Sequence, residues 1–169
     1  MLKKYLAYSK SFLISAIIFF IFYTLIGWWR APTFTPESQQ HFINLAGESI
    51  DLAQLSSEQP VLLYFWGSWC PVCRHSSPAV NALSQEQHYP VLTIAVASGD
   101  DATLMEYLQQ EQLTFSTIND NNSAIFRSWR TIVTPSYAIF KQGKVRQSFS
   151  GLQPKWLLKL RLWLVDLFV

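Results

Sequence analysis

The sequence predicts an α/β sandwich that begins with an N-terminal β-hairpin and is preceded by one transmembrane helix. Short apolar runs, such as residues 61–65 and 91–97, alternate with segments of helical spacing, which is the pattern of an α/β fold. Two short strand-like segments flank a Gly-bearing turn at residues 46–49, which indicates the hairpin. Residues 12–29 are apolar and carry no charge, which indicates the transmembrane helix.

Composition limits the size and the partners of the protein. The chain has 169 residues, which suits one domain plus a short extra element. Its net charge is only +2, and the part that is predicted to fold carries no Lys/Arg-rich cluster, so we expect no nucleic-acid partner. Both cysteines lie in one Cys-x-x-Cys motif, so the only disulfide that a single chain can form joins Cys70 to Cys73.

The apolar segment Phe12–Trp29 is long enough to cross a bilayer. Its 18 residues reach about 27 Å as a helix, close to one hydrocarbon thickness. Lys3, Lys4 and Lys10 precede it and Arg30 alone follows closely, so the positive-inside rule places the N-terminus in the cytoplasm and the rest of the chain outside. The lipid bilayer is therefore a predicted partner through residues 12–29.

A cleaved signal peptide is the alternative interpretation of this segment. The lysines resemble an n-region, but the apolar run is longer than a usual h-region, and Trp28 and Trp29 stand where small residues are needed. We therefore predict a cytoplasmic tail and anchor at 1–30, a Pro-containing linker at 31–40 and a folded domain at 41–169. Both interpretations place the folded domain outside the plasma membrane.

The elements of the folded domain are predicted in chain order. The hairpin's second strand lies at 50–52, and a polar loop at 56–60 leads into a buried strand at 61–65. The segment after the Cys-x-x-Cys motif continues as a helix at 76–87 with a kink at Pro78. The other predicted elements are strands at 91–97, 115–118, 136–140 and 145–149, helices at 102–112, 123–130 and 153–168, and a polar loop at 119–122.

The Cys-x-x-Cys motif follows the buried strand directly and opens the next helix. A thiol at this junction lies at a helix N-terminus, where unpaired amides and the helix dipole favour an anion. This environment turns a thiol into a thiolate, the form that attacks disulfides. Pro71 suits the first helical position because its missing N–H would have no partner there. The two-residue spacing keeps the sulfurs of Cys70 and Cys73 within disulfide range, which predicts a redox-active dithiol.

Residues 65–74 read FWGSWCPVCR and resemble the active-site segment of the thioredoxin superfamily. Trp69 precedes the first cysteine and Pro78 follows the second by five residues, as in that superfamily. The sequence is most similar to its membrane-anchored bacterial branch, which includes TlpA-like, ResA-like and suppressor-of-copper-sensitivity D-like proteins. The resemblance covers roughly residues 40–169 and implies a thioredoxin-like three-layer sandwich.

The resemblance also implies an activity, thiol–disulfide exchange on protein disulfides without a cofactor. In this mechanism Cys70 attacks the substrate disulfide and Cys73 resolves the mixed disulfide. The direction implied by the anchored branch is reduction or isomerisation, with electrons supplied by a membrane thiol transporter. The implied location is the bacterial inner membrane, with a single-pass anchor and the catalytic domain in the periplasm.

Thr134 and Pro135 are predicted to bind substrate. On sequence alone a Thr-Pro pair is ordinarily a turn or the start of an edge strand. The superfamily has a cis-proline at a strand start that faces the dithiol and leaves the preceding backbone free to pair with a substrate peptide. The resemblance assigns this role to Thr134 and Pro135. We expect Trp69 to shape the same docking face and Trp66 either to shield the sulfurs or to belong to the core.

Three residues are expected to tune the acidity of the Cys70 thiol. Pro71 and Val72 separate the cysteines, and Arg74 follows them as a cation without an evident acidic neighbour. An exposed helix face is the alternative interpretation of Arg74 and of His75. A spacer that begins with Pro also resembles the disulfide-forming, oxidant branch of the superfamily, so this direction stays open.

Metal binding is the alternative use of the dithiol. His41, His75 and His88 lack the paired spacing of zinc ligands, so no zinc or other metal site is predicted. Covalent haem attachment requires His directly after the second cysteine, where this chain has Arg74. A Cu(I)-binding module related to copper tolerance remains an alternative, because soft thiolates bind Cu(I).

Two further features depart from simple expectation. Tyr64 occupies the position at which thioredoxins commonly carry a buried Asp that assists the second cysteine, and a phenol is a poor base at neutral pH. Resolution by Cys73 must then use water, another group or a slower route.

The helix at 153–168 is too short and too charged to span a membrane, so we expect it to pack on the core. Its Trp and Leu residues occupy much of its circumference, which leaves a membrane-surface or partner-binding face open.

Overall fold

The computed structural model describes residues 40–169 and, before them, residues 13–15, 17–19, 21–23 and 25–26. The described residues between 13 and 26 are helical, and their large apolar side chains are exposed. Most of the predicted anchor and linker lies outside the described residues. Within the parts of the chain that are described, no helix combines the length and hydropathy that crossing a bilayer requires.

The domain begins with the predicted hairpin. Strands β1 (His41–Ile43) and β2 (Ser49–Asp51) pair antiparallel and form a separate two-stranded sheet. Phe42 lies opposite Ile50, and Gly47 in the turn has φ +80°, a conformation that favours glycine. The hairpin prediction is therefore confirmed.

A five-stranded mixed sheet forms the centre of the fold. Its strands are β3 (Val61–Trp66), β4 (Val91–Val96), β5 (Ser116–Asp120), β6 (Ser136–Lys141) and β7 (Lys144–Ser150). The spatial order is β5-β4-β3-β6-β7, in which β3, β4 and β5 run parallel while β6 and β7 run antiparallel to their neighbours. Every residue of β3, β4 and β6 is buried, which explains why these strands lack the alternation of half-exposed strands.

Helices cover both faces of the sheet. The helices are α1 (Leu52–Leu55), α2 (Pro71–Ser84), α3 (Asp101–Gln110), α4 (Ala124–Ser128) and α5 (Lys155–Phe168). The parallel strands β3, β4 and β5 are joined through α2 and α3, and these two helices share one core cluster with α5. Residues of the hairpin, α1 and α4 share a second cluster on the other face. The thioredoxin-like three-layer α/β sandwich is therefore confirmed.

The central strand β3 separates the two clusters. Leu62, Tyr64 and Trp66 point into the cluster under α2, while the alternating residues Val61, Leu63 and Phe65 point into the other. Trp66 is fully buried, so its role is core packing rather than contact with solvent or substrate. Because β3 lies in the middle of the sheet, its carboxyl end presents the following motif on a rigid support.

Three sequence expectations need correction. Asn119 and Asp120, predicted in a polar loop, belong to β5 because they pair with Ala95 and Val96 of β4. The buried Asp120 carboxylate also accepts the N–H groups that begin α4, from Ile125 at 3.0 Å and Phe126 at 2.8 Å. Pairing with β4 and the cap on α4 stabilise the strand conformation of residues 119–120 more than their polar composition favours a loop.

The other two corrections concern helices. Leu52, predicted at the end of a strand, instead begins α1, a helix that is not predicted from the sequence. The Asp51 carboxylate caps this helix by accepting the Ala53 N–H at 2.9 Å and the Gln54 N–H at 3.1 Å. Helix α2 continues across Pro78 as predicted but ends at Ser84 rather than residue 87. The remaining predicted elements differ from the observed ones only by a few residues at their ends.

Candidate redox-active site

The two cysteines lie at the junction of β3 and α2. They form a disulfide with a Cα–Cα distance of 5.2 Å. Cys70 is the N-cap of α2, Pro71 is at its first turn, and the Cys73 N–H donates to Cys70 Sγ at 3.1 Å. One of the amides that a helix N-terminus leaves unpaired is thus directed at this sulfur. The same amide and the helix dipole would stabilise a Cys70 thiolate after reduction.

The two sulfurs differ in accessibility. Cys73 is completely buried, whereas Cys70 retains 5% of its surface and lies next to exposed residues. Trp69, immediately before it, is 58% exposed, and Val72 in the spacer is also exposed. Only Cys70 therefore lies at the boundary with solvent.

The turn before Cys70 is fixed to the end of β4. The Trp69 indole N–H donates to Val96 O at 2.9 Å, and the Ser68 N–H donates to Ser98 Oγ at 3.0 Å. The indole crosses directly over Gly67, where an added Cβ would approach Trp69 Nε1 to 2.6 Å. Glycine at position 67 therefore permits the hydrogen bond that holds an exposed tryptophan beside Cys70.

Thr134 and Pro135 lie on the other side of Cys70. Their peptide bond is cis, and the Thr134 carbonyl oxygen is 3.7 Å from Cys70 Sγ. Pro135 O accepts the Gly151 N–H at 2.9 Å, which joins this loop to the end of β7. Ile132, two residues before Thr134, is an exposed apolar residue that the sequence analysis did not single out. The surface next to Cys70 is thus apolar and includes one backbone carbonyl close to the sulfur.

Arg74 and His75 lie on the exposed side of α2. Arg74 Nε is 3.9 Å from Glu111 Oε1 at the end of α3, so the structure supplies the acidic neighbour that the sequence did not reveal. The Arg74 side chain is 64% exposed, so solvent weakens its electrostatic effect on Cys70. That Pro71, Val72 and Arg74 tune Cys70 remains a prediction.

Tyr64 belongs to the same buried cluster as the two cysteines. Its hydroxyl group lies 3.1 Å from Ser77 Oγ and 3.5 Å from the Cys73 carbonyl oxygen. Burial raises the pKa of Tyr64 far above its ordinary value, so this phenol does not act as a base near neutral pH. It can instead donate one hydrogen bond, to the Cys73 carbonyl oxygen, and accept one from the Ser77 hydroxyl, and both contacts hold the first turns of α2.

Tyr137 of β6 extends this buried layer. Its ring stacks on Tyr64 with centroids 5.0 Å apart, and burial also raises the pKa of Tyr137. The sequence analysis missed both Ser77 and Tyr137. Ser77 could have been found because it lies four residues, about one helical turn, after Cys73. Tyr137 carries no such local signal, since its position depends on the pairing of β6 with β3.

The histidines do not approach the dithiol as a group. His41, His75 and His88 are all exposed and lie on different elements or loops. Among the described residues, no group of three or more His, Cys, Asp and Glu side chains could hold a metal ion.

Comparisons with known proteins agree with this geometry. The family model described as Redoxin matches residues 30–155. The chain is 33% identical over 153 residues to a thioredoxin-like protein of Haemophilus influenzae, covering 90% of this chain and 91% of that protein. It is 30% identical over 115 residues to the thiol-disulfide oxidoreductase ResA of Bacillus thuringiensis subsp. konkukian, covering 66% of each chain.

Solved structures show the same fold. A secreted disulfide oxidoreductase of Mycobacterium tuberculosis, described as homologous to E. coli DsbE, superposes with a TM-score of 0.65 at 20% identity. The alignment covers 77% of this chain and 99% of that one. StoA of Bacillus subtilis has a TM-score of 0.64 at 19% identity, with 71% and 92% covered. At these identities the similarity concerns the fold alone.

Proposed function

Because the chain belongs to the Redoxin family, as a thioredoxin-like thiol–disulfide oxidoreductase, we propose that it is tethered to the bacterial inner membrane and reduces or isomerises protein disulfides in the periplasm. The observation that carries the chemistry is the Cys70–Cys73 disulfide at the N-terminus of α2. Its two sulfurs differ in exposure, as sequential attack and resolution require.

The reaction begins with the reduced pair. The Cys70 thiolate attacks one sulfur of a substrate disulfide, and the other substrate sulfur leaves as a thiolate that takes up a proton. Cys73 then loses its proton to solvent and attacks Cys70 Sγ in the mixed disulfide, which forms the Cys70–Cys73 disulfide and releases the second substrate sulfur as a thiolate that takes up a proton. The substrate gains two electrons and the enzyme pair loses two.

Substrate binding is assigned to Thr134, Pro135 and Trp69. A peptide laid along the loop before β6 could pair with the Thr134 backbone as an added strand. The short distance from Thr134 O to Cys70 Sγ would bring the cysteine of that peptide to the nucleophile. The exposed Trp69 indole offers apolar contact to flanking residues and is itself held by Val96.

The membrane tether comprises the anchor within residues 1–30 and the linker 31–40, which precede the domain at 41–169. It is supported by the uncharged stretch 12–29, by the lysines before it, and by the exposed apolar side chains of the described residues there. The proposed electron source is a membrane thiol transporter, because the periplasm is kept oxidising. Membership of the suppressor-of-copper-sensitivity D-like group is a further proposal, based on the motif and the anchor.

Disulfide formation is the second candidate direction. The Cys73 N–H that points at Cys70 Sγ favours the thiolate, and stabilising the reduced form makes a dithiol a stronger oxidant. The decisive measurement is the reduction potential of the Cys70–Cys73 pair in the full chain. We expect a value nearer to that of thioredoxin, about −270 mV, with reduction of insulin disulfides; a value near −120 mV would instead establish the oxidant.

Three companion measurements test the rest of the proposal. Carbonate washing should leave the full chain in the membrane fraction, and protease added to spheroplasts should remove the domain. A mature N-terminus near residue 31 would identify a signal peptide instead. Cu(I) titration of the reduced chain tests the alternative that the protein is a copper-binding module. Tight Cu(I) binding in a chain that shows no disulfide exchange would support that alternative.

A further inference from the structure

Helix α5 has apolar residues on two opposite faces. Leu158, Leu162 and Val165 are buried in the core cluster under the sheet. On the other side lie four exposed residues at spacings of four, three and four, which align along one face of a helix. We call these the outer stripe: Trp156, Leu160, Trp163 and Leu167.

The core accounts for only one of these faces. Trp156 is 66% exposed and Trp163 is 51% exposed, and Phe168 extends the apolar surface at the end of the helix. Single exposed apolar residues are ordinary, but a continuous row with two tryptophans marks an interaction surface. Packing on the domain therefore does not explain why the outer stripe is apolar.

Positive charge borders the outer stripe. Lys155 and Lys159 lie along one edge, and both pair with a single carboxylate, Glu86, at 3.0 Å and 2.8 Å. The only acid in the sequence of α5, Asp166, pairs with Lys141 at 3.0 Å. Two lysines that share one acid leave an excess positive charge, which complements an anionic surface.

The chain length outside the described residues limits how far this surface can lie from a bilayer. Thirteen residues, 27–39, separate the described helical residues from Gln40, where the domain begins. Thirteen residues span at most about 45 Å when extended, and a domain of this size is about 35 Å across. A domain anchored by such a connection stays within about one diameter of the membrane.

From these observations we propose that the outer stripe lies in the membrane–water interface, with Lys155 and Lys159 against anionic headgroups. This inference rests on the membrane tether of the proposed function. Tryptophan, leucine and lysine together are typical of helices that lie on a bilayer, with the aromatic rings at headgroup depth. The lysine edge favours an anionic bilayer over a second copy of the chain, which would present the same positive charge.

Brominated lipids test the proposal, because they quench tryptophans that contact acyl chains. The full chain is placed in anionic nanodiscs with or without bromine on the acyl chains, beside the double variant Trp156→Phe/Trp163→Phe. The emission of the unsubstituted chain minus that of the double variant comes from Trp156 and Trp163, without the contribution of Trp28 and Trp29. We expect bromine to abolish most of that emission. Unquenched emission from these indoles, in a chain that is incorporated and still reduces insulin, would overturn the inference alone.

Charge variants provide the matched control. Leu160→Glu places an acid in the outer stripe and should relieve the quenching, whereas Met105→Glu places one at an exposed apolar position of α3 and should not. Equal effects of the two variants would count against the proposal. Two chains per nanodisc with unquenched indoles would indicate a second copy as the occupant. A chain that fails to enter nanodiscs would refute the tether and, with it, this inference.

Discussion

The two sulfurs of the disulfide face different surroundings. Cys70 lies at a helix N-terminus, beside the exposed Trp69 and the Thr134 carbonyl oxygen. Cys73 is fully enclosed, and the groups on its side are the neutral hydroxyls of Tyr64 and Ser77. Exposure and electrostatic stabilisation are thus concentrated on one sulfur.

This difference separates two kinds of reaction. Attack on a protein substrate needs a sulfur that substrate can reach and that is stable as an anion, and of the two cysteines only Cys70 retains exposed surface and lies at a helix N-terminus. Resolution needs Cys73 to reach Cys70 Sγ and also to lose its proton, because the thiolate is the nucleophile. The absence of a buried carboxylate at position 64 means that the Cys73 side offers hydrogen bonds but no base within the Tyr64–Ser77 pair.

Replacing either cysteine should abolish turnover, with different products. Cys73→Ser retains the nucleophile and should accumulate mixed disulfides with substrate, whereas Cys70→Ser should accumulate none. Non-reducing electrophoresis after incubation with a disulfide substrate measures both outcomes. In the reduced protein Cys70 should be alkylated well below pH 8.5, the usual pKa of a free thiol. Faster alkylation of Cys73 would reverse the roles.

Tyr64→Phe should destabilise the fold without removing the nucleophile. The substitution leaves the buried Ser77 hydroxyl without this partner, which costs about 1–3 kcal/mol in free energy of unfolding. Urea unfolding of Tyr64→Phe, Ser77→Ala and the double variant measures the coupling between the two groups. Additive effects of the two substitutions would show that the hydroxyl pair contributes nothing.

The buried phenols predict a loss of stability at alkaline pH. Burial raises the pKa values of Tyr64 and Tyr137 in the folded state, so the folded protein holds protons that the unfolded chain releases above about pH 10. Their contribution is complete below that pH and falls as the pH rises. Unfolding measured across alkaline pH should therefore show declining stability, less steeply in Tyr64→Phe. An unchanged slope in this variant would contradict the assignment.

On the Cys70 side, Gly67→Ala should impair substrate reduction more than Trp69→Phe does. The alanine Cβ would displace the indole, while phenylalanine keeps an aromatic ring and loses part of the indole surface and the N–H that reaches Val96, a hydrogen bond worth about 1 kcal/mol. In both variants we expect kcat/KM for protein disulfides to fall, mainly because KM rises. A reduction potential equal to that of the wild type would confirm that the dithiol itself is intact.

Arg74→Gln should produce the smallest change. Arg74 is exposed and lies near Glu111, so its interaction with a Cys70 thiolate is worth less than about 1 kcal/mol. Alkylation of Cys70 should slow slightly, and Glu111→Gln should accelerate it slightly by freeing the cation. A large effect of either substitution would show that Arg74 turns toward the sulfur after reduction.

Local sequence predicted the nucleophilic turn because its determinants are neighbours in the chain. Pro71, the two cysteines and the preceding apolar strand suffice to place a thiol at a helix N-terminus. Strands β3, β4 and β6 were also predictable, since strands buried on both faces form continuous apolar runs. Helix α1 was missed although Asp51 is a local cap, because four residues give too little periodicity.

The partners of the site could not be predicted in this way. Val96, which anchors Trp69, and Thr134, which approaches Cys70, are 27 and 64 residues distant in sequence. Glu111 reaches Arg74 only because α3 packs beside α2 on the same face of the sheet. No short-range pattern encodes such contacts, since they depend on strand order and helix packing.

From the sequence alone one can thus predict the redox pair, the order of helices and strands apart from α1, and the apolar character of residues 12–29 and of α5. Periodicity, capping and motif spacing are local properties, so they can be read without a structure. Which face of α5 is buried followed from the tertiary structure alone, with Leu158 and Leu162 in the core and Trp163 exposed. Burial is decided by contacts between distant segments, and an apolar helix does not itself specify which face the sheet will cover.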